Sequence, residues 1–172
     1  PMCIVVATTC TPFGPMAHLN RVINYNGWLK SYSLAAPHGR FCGRMCLKQL
    51  KSGRDFISEQ PMPSTLDNED PWPEILNHPR VGRRVFDQCR TKLLASNGQL
   101  VKKPSSITAS SPELLKPFDN LRCRGDHQHV DTNLICLKPL QVWTWEFVRR
   151  IADGIMALKK RLTTATAFPE TA

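Results

Sequence analysis

The run Cys3–Ala7 (CIVVA) is apolar at every position and rich in β-branched residues, and it passes directly into the turn-forming loop TTCTPFG. A strand that is apolar on both faces cannot lie on a solvated sheet, so this run predicts a parallel strand covered on both sides. Its loop holds Cys10, Pro12 and Gly14. Helical patterns follow. Leu19, Val22, Ile23 and Leu29 mark one from about Ala17 to Tyr32, interrupted at Gly27, and Cys42, Met45, Cys46 and Leu50 form the apolar stripe of a second, from about His38 to Lys51. Asp55–Glu59 reads as a second strand ended by Pro61 and Pro63, and Met62–Pro73 as a Pro-rich acidic linker. A helical turn at Glu74–Asn77 and strands at Arg84–Asp87 and Ser105–Ala109 come next. Ser110 with Glu113 has the spacing of a capping box. The last helix starts at a capping Thr144, with Phe147, Val148, Ile151, Ile155 and Leu158 on one face. Strands alternating with helices predict an α/β chain, a Rossmann-like three-layer sandwich with a largely parallel sheet. The expected domain spans residues 1–162, with 119–137 a metal-bound loop and 163–172 a flexible tail.

Charge narrows the partners. Lys and Arg total 23 against 14 acidic residues, a formal net charge of +9, and such a surplus favours polyanions, nucleic acid first, with DNA preferred. Arg83, Arg84, Lys102 and Lys103 are the expected phosphate contacts. No stretch nears the roughly 20 apolar residues of a membrane span, so no membrane partner is expected. The seven cysteines are odd in number and scattered, which suits reduced thiols in an intracellular, nuclear or cytoplasmic setting. The chain enters a β-like run almost at Pro1, as expected of a segment cut from a longer polypeptide.

Two constellations carry chemistry. Cys123-x3-His127-x-His129 offers a thiolate and two imidazoles within a short Gly-containing loop, a donor set suited to zinc. Cys89 and Cys136 are the available fourth ligands, and Cys89 is preferred because it ends a strand and would tie that strand to the loop. In open parallel sheets reactive groups gather beyond the carboxyl ends of the strands. There, Cys10 follows the first strand and Glu59 ends the second, a thiol and a carboxylate suited to covalent addition to an electron-poor ring. The plainer reading makes Cys10 a small loop residue and Glu59 a solvated strand end.

The order CIVVATTCTPFG, GRDFISEQP, VFDQC, VKKPSSITAS and QVWTWEFVRRIADGI is similar to the second half of cytosine-5 DNA methyltransferases. The resemblance implies that Cys10 is the nucleophile and Glu59 the group on the pairing edge of a flipped-out cytosine. It further implies that Lys102 and Lys103 steady the loop or the phosphates, and that S-adenosylmethionine is the methyl donor, held by an upstream, cofactor-binding half of the same polypeptide that this segment lacks. Thr9 stands where the family has Pro, Gln60-Pro61 replaces Asn-Val, and the basic pair is Lys-Lys. The strings VKKPSSITASSPEL and CRGDHQH also resemble a domain of retroelement-type polyproteins, which implies a transposable-element origin. Two functions follow: a fragment of a nucleic-acid-modifying enzyme, or a catalytically inactive relative that binds nucleic acid or serves as a scaffold.

Overall fold

The computed structural model describes residues 1–131 and 138–167. Four strands, β1 (Cys3–Ala7), β2 (Asp55–Pro61), β3 (Gly82–Asp87) and β4 (Pro104–Ala109), form one sheet in the order β1-β2-β4-β3. β1 pairs with β2 in parallel, with Ala7 opposite Glu59, whereas β4 is antiparallel to both β2 and β3. The sheet is therefore mixed and not the largely parallel one expected. The physical reason is that β4 returns between β2 and β3 and reverses the hydrogen-bond ladder on both sides.

Successive β2 side chains point to opposite faces and enter two different cores. Phe56 packs with Val6, Cys42, Cys46, Leu50, Trp72 and Ile75 on one side. Ile57 packs with Phe86, Ile107, Phe118, Phe147 and Leu158 on the other. Helix α2 (Tyr25–Lys51) supplies the first cover, and α4 (Pro112–Leu115) with α5 (Trp145–Ala167) the second. Burial on both faces explains why DFIS carries no polar alternation. CIVVA departs from expectation: β1 stands at the edge of the sheet, where Val6 is buried but Val5 is 45% exposed, so this strand is covered on one face only.

The helices differ from expectation at their joints. The chain breaks between α1 (Ala17–Ile23) and α2 at Asn24, not at Gly27, because the Asn24 side chain accepts the Gly27 N–H at 3.0 Å and caps the new helix. α2 then runs unbroken through Pro37, where the sequence predicts a gap before His38. The lost hydrogen bond is outweighed by an inner face of small residues, Ala35, Ala36, Gly39, Cys42 and Gly43, all buried.

Met62–Pro73 is no linker. It forms a 3-10 helix (Thr65–Asn68) and the start of α3 (Trp72–Leu76), and Leu66 and Trp72 are buried against α2. Trp72 Nε1 donates to the Gly39 carbonyl at 3.1 Å. A Cβ at Gly39 would lie 2.7 Å from Leu66, and one at Gly43 would lie 2.7 Å from Pro71, so both glycines are needed for the approach.

Ser110 does not cap α4. Its hydroxyl accepts the Phe56 N–H and donates to Asp55, which anchors β2 instead. Thr144 caps α5 as predicted, accepting the Phe147 N–H at 3.1 Å, and the helix continues past residue 162 to Ala167. Residues 168–172 of the expected tail lie outside the described residues. No helix among the described residues is long and apolar enough to cross a membrane.

Candidate functional site

β3 ends at Asp87 and tightens into a 3-10 turn, Gln88–Thr91, that turns Cys89 inward. The polar loop from Asn120 to Asp131 folds back over this turn. The Cys123 N–H donates to Asp87 Oδ2 at 2.8 Å, and Gly125 takes φ +75°, a left-handed step that a side chain would resist. The result is a cluster of Cys89, Cys123, His127 and His129 whose ligand atoms all lie within 4.8 Å of one another, a group that could hold a metal ion. Cys123 Sγ is 3.7 Å from His127 Nε2 and 3.5 Å from His129 Nε2. With metal–sulfur bonds of about 2.3 Å and metal–nitrogen bonds of about 2.0 Å, the edges of a tetrahedral site measure roughly 3.3–3.8 Å, so these contacts fit.

The surroundings orient the ligands. His127 Nδ1 lies 2.8 Å from Asp126, which leaves Nε2 to face the cluster, and Arg90 of the same turn holds Asp126 at 3.1 Å. Burial, then His127 and Lys102, holds the His129 imidazole below its ordinary value, toward the neutral form a metal needs. Burial, reinforced by the neighbouring Cys123, pushes the Cys89 thiol up. Cys136, the other candidate ligand, lies outside the described residues. The set is complete with Cys89.

The second constellation is also brought together. β1 and β2 are adjacent and parallel, so their carboxyl ends share one rim, and Cys10 and Glu59 emerge there. Backbone bonds from Phe13 and Gly14 to the Cys10 carbonyl, at 3.0 and 2.8 Å, fold the loop, and buried Phe13 pins it. Gln60 ties it down further through hydrogen bonds to Thr8 and Ser64.

Cys10 is half-buried, and burial raises its thiol above the ordinary value; Lys103 pulls it back down and Glu59 adds to the rise. Cys10, Met16, Pro61, Lys102, Lys103 and Leu140 help wall a cleft of about 500 Å³. Glu59 is half-buried and does not itself line the cleft. Its carboxylate accepts from Gln88 Nε2 and Trp143 Nε1, both at 3.3 Å. Neither partner was indicated by motif or charge. Gln88 neighbours a predicted ligand and Trp143 precedes a predicted cap, but nothing in the sequence directs them to Glu59.

The expected phosphate contacts divide. Arg83 grips Asp67 with two bonds of 2.7 and 2.8 Å and also donates to Thr108, so its fork is consumed within the fold. Arg84 pairs with Asp119. The bidentate pair leaves Arg83 little for a phosphate, whereas Arg84 makes a single bond to the Asp119 carboxylate and its side chain is 45% exposed. Lys102 is exposed beside the cleft, and Lys103 donates to the Leu140 carbonyl at 3.1 Å.

Comparisons with protein-family models, with curated proteins and with solved structures each return no match.

Proposed function

We propose that this chain is a zinc-stabilised module that receives a nucleic-acid base, a fragment of a nucleic-acid-modifying enzyme of the cytosine-5 methyltransferase type. The observation that carries this reading is the pairing of Ala7 with Glu59, which brings Cys10 and Glu59 to one rim beside a cleft flanked by Lys102 and Lys103. Two thiols and two imidazoles gathered within 4.8 Å of one another make zinc the ion of choice for the loop. Its role there is structural, since all four positions are filled by protein.

The chemistry follows from the groups at the rim. The Cys10 thiolate bonds to C6 of a cytosine, the C5–C6 π pair moves to C5, and a solvent proton is taken up at C5. Elimination reverses each step and returns the thiolate. The two long bonds to Glu59 can give way to the amino and ring-nitrogen edge of the base. S-adenosylmethionine supplies the methyl group in that family. The described residues offer it no Gly-rich cradle, since the loop after β1 has Gly14 alone, and no step here runs through it. β1 stands at the edge of the sheet, and a Rossmann-like reading lets an upstream half of the same polypeptide continue it there.

The raised Cys10 thiol favours a second reading, a binding module without turnover. Both readings require nucleic acid at the cleft. An oligonucleotide titrated by fluorescence anisotropy should bind with salt-dependent affinity. Lys102→Glu should weaken it about tenfold at low salt and flatten the slope against log salt by roughly 0.7–0.9 per lost phosphate contact. Arg83→Ala should leave that slope unchanged. Absence of salt-dependent binding, or indifference to Lys102→Glu, would remove both readings.

A further inference from the structure

The candidate metal cluster and the Glu59 carboxylate hang on one short turn, Gln88–Thr91. Gln88 and Cys89 are consecutive and both buried; the first faces Glu59 and the second faces the cluster. Gln88 Nε2 also donates to Ser105 Oγ at 2.8 Å, and its backbone N–H donates to the Lys103 carbonyl at 3.0 Å. Its carbonyl accepts from Thr91 Oγ1 at 2.9 Å, so side chain and main chain alike are fixed. At the far end of the turn, the Thr91 carbonyl accepts from Thr144 Oγ1 at 2.6 Å, beside Trp143, the other residue that holds Glu59. On the metal side, Arg90 of the same turn braces Asp126 and through it His127. A turn of four residues cannot shift Cys89 without shifting Gln88.

We propose that metal binding at Cys89, Cys123, His127 and His129 fixes the position of Glu59, with Gln88 as the positioning residue that transmits it. The loaded cluster clamps the turn, the turn aims the Gln88 amide, and Gln88 and Trp143 together hold the carboxylate at the rim. This deepens the functional reading above and rests on it for the role of Glu59, but the coupling is a property of the chain alone. The cluster thereby does more than order its own loop: without metal the Cys89 end of the turn loses its anchor, and Gln88 holds the carboxylate less firmly.

The test uses the full chain, and no nucleic acid. Cobalt(II) substitution reads occupancy through thiolate-to-metal absorption. In the zinc form, the Trp143 indole N–H resonance, assigned by its loss in Trp143→Phe, reads the bond to Glu59. That resonance should move when a chelator withdraws zinc. In Gln88→Met, which keeps the volume but has no donor, it should be displaced even though cobalt absorption matches wild type. Should zinc removal melt the whole chain, the loaded Gln88→Met protein decides alone. A wild-type indole resonance in loaded Gln88→Met, or one indifferent to zinc in a folded chain, overturns the coupling, as does a chain that takes up no cobalt. A failed oligonucleotide titration leaves the indole result standing, and a metal-insensitive indole leaves the oligonucleotide result standing.

Discussion

Cys123→Ser should strip the metal from the loop and lower the unfolding temperature by roughly 8–16 °C. Cys123 is the hub of the cluster: it faces both imidazoles, at 3.7 and 3.5 Å, and its N–H ties the loop to buried Asp87. The loop around it has no regular secondary structure from Asn120 to Asp131, and its apolar residues Leu121 and Val130 are only partly buried. Hydrophobic burial therefore does little to order it. An ion held at about a thousand times its dissociation constant contributes about 4 kcal/mol to the folded state, and about 1 kcal/mol moves the melting temperature of a domain this size by roughly 2–4 °C. Chelation of the wild-type protein should reproduce the loss. Thermal melts paired with metal analysis check it, and one equivalent of zinc retained in Cys123→Ser with an unchanged melt would contradict it.

The second large effect lies in the core under α5. Phe86, Phe118 and Phe147 have ring centroids 5.4, 5.6 and 5.5 Å apart, and each is at most 1% exposed. Phe147→Ala removes the ring that joins α5 to the sheet, and such truncations cost about 3–5 kcal/mol because close-packed neighbours relax only partly. Trp143 leans on Phe147 at 5.0 Å, so the substitution also loosens the indole that holds Glu59. The denaturant midpoint should fall with an unchanged slope. Trp145→Ala, two residues away and 80% exposed at present, should change stability by less than about 0.5 kcal/mol. A loss below about 1 kcal/mol at Phe147 would mean that α5 is not docked through this cluster.

The parts legible in the sequence are those fixed by local pattern. CIVVA announced a strand, though not its exposed face at Val5, the apolar stripe after Thr144 announced α5, and three of the candidate metal ligands lie within seven residues. Cys89 was legible by a different route, as a thiol placed where a strand stops. The sheet was harder. Its mixed character depends on β4 entering between β2 and β3, a choice made by long-range pairing that no segment of the sequence encodes by itself.

Other differences come from tertiary contacts overriding local signals. Pro37 marks a helix end by its own chemistry, yet the small-residue face packed on the sheet carries α2 through it. Pro-rich composition made Met62–Pro73 look like a linker, although Leu66 and Trp72 are core residues. The ion pairs of Arg83 and Arg84 were not legible because their acidic partners, Asp67 and Asp119, stand 16 and 35 positions away. The same distance in sequence hid Gln88 and Trp143, 29 and 84 positions from the carboxylate they hold.

Addition of the Cys10 sulfur to a cytosine ring, as proposed, is tested most directly by hydrogen exchange at cytosine C5. Addition at C6 lets C5 take up a solvent proton, and elimination then releases the original hydrogen, so an oligonucleotide deuterated at C5 loses its label without any methyl donor. Because burial raises the thiol, the washout should quicken as pH rises. The zinc-loaded protein should release the label, Glu59→Gln should slow release at least tenfold, and Cys10→Ser should abolish it. A label retained by the wild-type protein, or lost equally fast with Cys10→Ser, would contradict the account.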